Sequence, residues 1–354
     1  MPFAEFMQLA LYHPEFGYYS AGLQKFGRQG DFVTAPELSP LFGQTLANQA
    51  RQVFNELSTP ILFEFGAGSG RLCVDIMKHL ECLNSLPAAY HIMEISTELR
   101  HRQKELINKE IPHLADQIHW LNQWPTEAFD GVIIANEVLD AMPVHRFLQT
   151  ATGLAESRIS LDSSGELSEI FKPCDNPRLN NYLQNALPDD MFPYMSEANL
   201  FIDGWIKECS NMLAKGVMIL VDYGFPRHEY YHPDRSQGTL MCHYQHLAHG
   251  DPLQHIGEQD ITAHVDFTHV AEAASDAGFQ VDGFTSQTAF LLSNGILDLL
   301  QAYPEGTDRI KAQQTIKQLI QPDEMGELFK VIALTKNLDM DLAGFQLQDR
   351  RASL

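Results

Sequence analysis

The chain has 354 residues, 44% of them hydrophobic, and carries 24 Lys+Arg against 46 Asp+Glu, a formal net charge of −22. That length supports one elaborated domain or two ordinary ones around a large core. The acidic excess repels polyphosphate and anionic lipid, which argues against nucleic acid or a membrane surface as the main partner.

In chain order, residues 1–58 are first aromatic and glycine-punctuated (Phe16-Gly17-Tyr18-Tyr19, Gly27, Gly30), then helix-like from about Ser39 to Leu57. From Pro60 strands and helices alternate. Ile61–Phe65 is a short apolar run ending at Gly66, and Leu72–Leu83 carries an apolar stripe at helical spacing. Tyr90–Glu94 reads as a second strand, Thr97–Lys109 as a polar helix, and Gln117–Leu121 as a weaker strand. Gly131–Ala135 and Val217–Val221 are continuous apolar runs, the pattern of parallel strands buried on both faces. An insertion at about 146–215 separates these last two strands. It opens with alternating segments that predict a small hairpin (Arg146–Gln149, Arg158–Leu161, Leu167–Phe171), and its second half, around Asp189–Leu213, reads as helical. Phe267–Ala277 is a helix with Asp266 as N-cap and Gly278 as its stop, and Phe329–Leu334 is a last strand. The pattern predicts an α/β fold, an open and mostly parallel sheet with helices on both faces. The expected division is an N-terminal lid or helical segment at 1–58, a main domain at 59–336 and a polar, frayed tail at 337–354.

The most informative local feature is Glu64-Phe65-Gly66-Ala67-Gly68-Ser69-Gly70, set between the first strand and an amphipathic helix. Glycines there permit positive φ and close approach of backbone to a ligand. A dinucleotide fingerprint needs a third glycine where Arg71 stands, and a phosphate loop needs Gly-Lys-Ser/Thr, which is absent. The spacing suits a phosphate-free ligand, and S-adenosylmethionine (SAM) fits. Glu94, ending the second strand, is placed to accept hydrogen bonds from both ribose hydroxyls, as acids also do in NAD sites. A ligand-free strand–helix turn, with Glu94 on the surface, is the alternative. A second acidic cluster, Asn136-Glu137-Val138-Leu139-Asp140, follows the fourth strand on the edge where ligands bind in open α/β sheets. Asp222 ends the fifth strand there, either as a direct participant or as a loop cap.

These residues resemble the MidA-like family of class I SAM-dependent methyltransferases. The blocks that carry the resemblance include Leu11-Tyr12-His13-Pro14, Gly30-Asp31-Phe32-Val33-Thr34-Ala35-Pro36-Glu37, the glycine loop, Asn136-Glu137 with Asp140-Ala141-Met142-Pro143, Val221-Asp222-Tyr223-Gly224 and Asp260-Ile261-Thr262-Ala263-His264. The resemblance implies a Rossmann-like sheet, with residues 1–58 and the insertion forming a lid over the methyl donor. It also implies SAM as cofactor, with Thr34 and Glu37 joining Glu64, Gly66, Ala67, Gly68, Gly70, Glu94 and Asn136 around it. Its mitochondrial members dimethylate an arginine of a respiratory complex I subunit, so a protein client with a target arginine is the implied partner. Val138-Leu139 stand where the family has two aromatic or apolar residues, a smaller lining expected to reshape the acceptor pocket.

An arginine acceptor arrives as a cation beside a cationic sulfonium, and two unit charges at about 4 Å repel by roughly 4 kcal/mol at an effective dielectric of 20. Glu137 and Asp140 are the candidates to offset that charge and orient the guanidinium, with Asn136 as a neutral positioner. Alternatives are a non-catalytic SAM-binding assembly factor, a methyltransferase for another acceptor, and an NAD oxidoreductase, which Arg71 disfavours.

Other signals carry less. His243, His246 and His249 invite a metal reading but lack the Cys or carboxylate ligand usual in zinc sites. The five cysteines form no C-x-x-C pair, which points to a reducing compartment rather than a disulfide framework. No apolar run reaches the roughly 18 to 20 residues of a membrane span, and Met1–Ser20 contains no Lys or Arg of a targeting peptide. A bacterial cytoplasmic chain and a trimmed chain of the mitochondrial matrix would both read this way.

Overall fold

The computed structural model describes residues 1–20, 34–188, 191–303 and 305–354. Gly27, the Gly30–Val33 block and Asp189 therefore lie outside the described residues. Helices α1 (Phe3–Tyr12), α2 (Ala35–Leu38) and α3 (Pro40–Phe54) precede strand β1 (Ile61–Phe65). Then follow α4 (Arg71–Cys82), β2 (Ala89–Met93), α5 (Thr97–Glu110), β3 (Ile118–Leu121) and β4 (Phe129–Asn136). The insertion supplies β5 (His145–Thr150), β6 (Gly153–Leu161), β7 (Leu167–Pro173), α6 (Pro177–Ala186), β8 (Tyr194–Ala198) and α7 (Ile202–Met212) before β9 (Leu213–Phe225). The remainder is α8 (Arg227–Tyr230), β10 (Met241–Tyr244), β11 (Leu247–His249), β12 (Asp260–Thr262), β13 (Val265–Asp266), α9 (Phe267–Asp276), β14 (Gln280–Ser286), α10 (Gln287–Ser293), α11 (Ile296–Gln301), α12 (Thr307–Ile320) and β15 (Phe329–Lys336).

The main sheet runs β14-β15-β9-β4-β1-β2-β3, parallel except for β15, which lies antiparallel between β9 and β14. The continuous apolar runs of β1, β4 and β9 sit at its centre, buried on both faces, with one core on each side. From β1 the chain winds outward through β2 and β3, then returns to β4 on the other side of β1. That reversal opens a crevice beyond the carboxyl ends of β1 and β4, the switch point where such sheets bind ligands. The N-cap expected for α9 is present: the Asp266 carboxylate accepts from the Thr268 and His269 N–H groups.

Three expectations are corrected. The insertion is a four-stranded antiparallel sheet, order β7-β6-β5-β8, rather than a hairpin. Tyr194–Ala198, expected to be helical, is a strand because β5 offers it an unpaired edge along which Tyr194, Ser196 and Ala198 become buried. The tail beyond residue 337 is not frayed. Leu338, Leu342 and Phe345 are buried in the main core, while Gln52 and Gln49 of α3 accept from the Ala343 and Gly344 N–H groups at 2.9 and 2.8 Å. Phe345 presses so closely on β14 that a Cβ at Gly283 would lie 2.3 Å from its Cγ.

Residues 1–58 divide between two cores. Helix α3 packs on α4 in the main core, whereas α1 and Tyr18 pack with Val144, Ile159, Leu240, Cys242 and Ile261 into a separate cap. A Phe345→Ala substitution should lower unfolding stability by about 3 kcal/mol, read as a lower urea midpoint at unchanged slope. An unchanged midpoint would mean that the tail adds nothing to the core.

Candidate active site

The bend after β1 is built on positive backbone angles, with φ of +62° at Gly66, +53° at Gly68 and +86° at Gly70. The Gly66 N–H donates to the Met93 carbonyl at 3.0 Å and the Gly70 N–H to the Ala67 carbonyl at 2.7 Å, which closes the turn. Gly66, Ala67 and Gly68 line a cavity of about 400 Å³, but Gly70 does not. Gly70 ends the loop instead, its α-carbon face turned to Gln103, whose Cα a Cβ there would approach to 3.2 Å. Arg71 opens α4 with its guanidinium held by Glu110 at 2.5 Å and Asp75 at 3.4 Å, so this cation belongs to the helix α4–α5 contact.

Below the loop, Glu64 is buried and accepts a hydrogen bond from the Tyr90 hydroxyl at 2.7 Å. Burial pushes its carboxyl up to about 8, against the pull of Tyr90 and with a smaller push from Glu94. Glu94 is buried as well, accepting from the Ser96 N–H at 3.0 Å and from Gln103 Nε2 at 3.2 Å. The same Nε2 donates to the Gly68 carbonyl at 2.9 Å, and Trp120 Nε1 holds the other end of the amide at 2.8 Å. Gln103 thus ties the glycine loop to the carboxylate that follows β2. Sequence reasoning missed it, although a neutral amide on a helix of charged residues, spaced four from Leu99 and Ile107, was a visible signal.

The turn after β4 is organised from beneath. Fully buried Asp222 accepts from the N–H groups of Val138, Leu139 and Asp140 at 3.2, 2.9 and 3.3 Å through one oxygen, and from the Tyr223 N–H at 2.8 Å through the other. Its loop-capping role is therefore the observed one. Glu137, at φ +55°, donates its own N–H to the Val221 carbonyl at 2.9 Å and receives Asn136 Nδ2 at 2.9 Å. Asn136 Oδ1 is buried with no partner among the described residues. Burial pushes Glu137 up to about 8, the repulsion of Asp222 adding to it, and it pushes Asp140 well above the carboxylate range. Burial raises Asp222 too, while its backbone donors pull it back toward the ionised form.

Thr34, Glu37, Glu64, Glu94, Asn136, Glu137 and Asp140 all line the one cavity, joined by Tyr12, Tyr19, Met93, Trp124, Trp205, Tyr223, His243, Asp260 and Thr262. Trp205 had drawn no functional expectation. Two clasps draw the α2 strap over the glycine loop: Ser69 Oγ donates to Glu37, and the Ala35 N–H donates to Glu137. Val138 lines the cavity while Leu139 is buried in the core, so only one of the pair shapes the opening. Of the discounted histidines, His243 of β10 lines the cavity and His249 ends β11. Among the described residues no group of three or more His, Cys, Asp or Glu could hold a metal.

A family model described as "Putative S-adenosyl-L-methionine-dependent methyltransferase" matches residues 44–285. A solved structure from Burkholderia thailandensis bound to S-adenosyl-homocysteine is 43% identical, with TM-score 0.95 over 100% of this chain and 92% of its own. A native structure from the same organism is 42% identical with TM-score 0.92. The curated "Protein arginine methyltransferase NDUFAF7, mitochondrial" of Rattus norvegicus is 28% identical over 94% of this chain and 80% of its own length. Its Homo sapiens counterpart is 26% identical over 99% and 83%.

Glu64 yields a pH prediction. A carboxyl near 4.3 in the unfolded chain and about 8 in the fold contributes stability that is complete below the lower value and disappears as pH rises through the upper one. Glu64→Gln should therefore gain stability relative to the parent by about 1.4 kcal/mol per pH unit between about pH 5 and about pH 8. Parallel urea-stability profiles across that range would refute the shift.

Proposed function

We propose that this chain, which belongs to the family of S-adenosyl-L-methionine-dependent methyltransferases whose model it matches, methylates an arginine side chain of a protein client. It is a SAM-dependent methyltransferase of MidA-like type, and S-adenosylmethionine is its cofactor. Arginine is the finer step, supported by an acid-walled cavity and by relatives named protein arginine methyltransferases.

The residues present fit that cofactor. The loop at Gly66-Ala67-Gly68 offers backbone without side chains of any size, Glu94 offers a buried carboxylate to hydroxyl donors, and Glu64 stands ready for an ammonium group. Arg71, the one Lys or Arg among the described residues lining the cavity, is held by Glu110 and Asp75 rather than offered to a phosphate. Thr34 and Glu37 of the strap would cover the same ligand. When bound, SAM supplies a methyl group activated on a sulfonium.

The chain's own part is alignment and charge balance. Glu137 and Asp140 line the cavity with Asp222 buried beneath their turn, without an ion pair among the described residues, and burial favours their protonated forms until a cation enters. A guanidinium satisfies it with planar, paired N–H donors. Glu137 would neutralise the incoming charge, Asp140 would orient the fork, and the buried Asn136 Oδ1 would accept a further N–H. The proton displaced from the cluster on binding leaves a carboxylate able to take the one lost after transfer. The buried Asn136 Oδ1, without a hydrogen-bond partner among the described residues, is the observation that carries this reading. Among possible clients, a respiratory complex I subunit is the one the resemblance points to.

Labelled SAM with cell lysate should mark a protein at arginine, identified by mass spectrometry and absent when this protein is removed. Glu137→Gln should bind S-adenosylhomocysteine as the parent does while transfer falls on the order of 100-fold. Equal transfer at matched donor occupancy would remove Glu137 from the reaction. Label found only on another residue type would overturn arginine.

A further inference from the structure

A second cavity, of about 360 Å³, opens at the start of β15 and shares no lining residue with the first. It lies at the same edge of the main sheet, since Lys330 pairs across to Asp222 of β9 on one side and to Ser286 of β14 on the other. Pro226, Phe284 and Ala352 give it apolar walls, and Lys330 and Arg350 bring two cations to it. In a chain of formal net charge −22, such a cavity calls for a reason. Lys330 is 5% exposed, and its ammonium donates to the carbonyl oxygens of Glu327 and, at 3.5 Å, of Leu328. An ammonium has three donors, so two carbonyls leave one N–H over and leave the charge unbalanced.

Among the described residues Lys330 has no ion-pair partner. Glu327 is turned to the Arg350 guanidinium, which it meets at 2.9 and 3.2 Å, and Glu229, the one acid lining the cavity, is exposed with His228 at 3.7 Å. Arg235 adds a third cation, its guanidinium carbon 3.7 Å from the centre of the Phe225 ring that the Lys330 ammonium approaches at 5.3 Å. Burial pulls the Lys330 ammonium down to about 8, with Glu327 opposing the fall and Arg350 adding to it. A buried charge without a counter-ion is costly, and an anion entering the cavity would remove that cost. Arg350 spends two of its five N–H groups on Glu327 and keeps others for the same anion. The apolar walls select an anion with a hydrocarbon body, because that body covers Phe284 and Pro226 while its head group meets the ammonium.

We propose that this cavity is a second binding site, which takes a small organic carboxylate with its head group on Lys330. It is separate from the donor cavity and does not rest on the arginine reading above.

The test uses the full chain saturated with S-adenosylhomocysteine, so that the first cavity is filled, and titrates benzoate against benzamide, its neutral counterpart of the same shape. At about pH 7 benzoate should bind with a Kd on the order of 1 mM, at least about tenfold tighter than benzamide. Lys330→Met should abolish that preference and leave the affinity for S-adenosylhomocysteine unchanged. Because the anion favours the charged amine, benzoate affinity on the parent should fall as pH rises through about 8, approaching tenfold per unit, and binding there should take up a proton from the buffer. That pH series needs no substitution, so it decides the matter if the Lys330 variant does not fold. Absent benzoate binding, or equal affinity for the two probes, overturns the site. A preference that Lys330→Met retains, or an affinity that stays flat from about pH 7 to about pH 9, overturns the role of Lys330 and with it the proposal.

Discussion

A carboxylate with no solvent around it holds the working edge of this protein together. Asp222 lies in β9 one residue past the partner of Asn136, where β4 ends, and there it gathers three successive N–H groups of the turn after β4 together with that of Tyr223. Without such an acceptor the turn would bury unpaired donors, each costing about 1–3 kcal/mol. With it, Glu137 is held at a left-handed φ that a β-carbon ordinarily avoids, and Asn136, Glu137 and Asp140 face one cavity. The parallel pairing of β4 with β9 is what brings Asp222 under the turn, so the geometry of the site follows from strand register.

The frame of the sheet was legible because its central strands are buried on both faces and cannot alternate. Gly131–Ala135 and Val217–Val221 are apolar throughout and Ile61–Phe65 is so but for Glu64, a pattern with few other readings. The glycine loop was legible for a related reason, since positive φ at three alternate positions leaves little choice of residue. The insertion was harder. Tyr194–Ala198 becomes a strand only because β5 is there to pair with it, a fact of tertiary structure that no local propensity carries. The tail misled through composition, its apolar residues being few, although Leu338, Leu342 and Phe345 turn inward.

Within the site, residues adjacent to the motifs could be found by reading along the chain, and residues delivered from elsewhere could not. Glu94, Glu137 and Asp140 sit at strand ends, where topology predicts ligands. Tyr12, Tyr19 and Asp260 reach the cavity through the cap, whose core joins α1 to the β10–β12 sheet and to the insertion. Nothing in the spacing of Asp260 gives it a role; the Tyr19 hydroxyl and the Ala263–Asp140 backbone hydrogen bond help bring it to the cavity from more than a hundred residues away.

The distribution of charge links these parts. A site built to receive a cationic acceptor beside a cationic donor must hold excess negative charge where water is scarce, and uncompensated carboxylates there take up protons instead. Glu64, Glu137 and Asp140 are all pushed upward, chiefly by burial. Among the described residues lining the cavity the one Lys or Arg is Arg71, and it is turned to Glu110 and Asp75 across helices α4 and α5. Had that guanidinium reached into the cavity, it would have neutralised the acids and invited phosphate. Its capture by Glu110 keeps this guanidinium out of the bend and leaves the acid wall unneutralised by it.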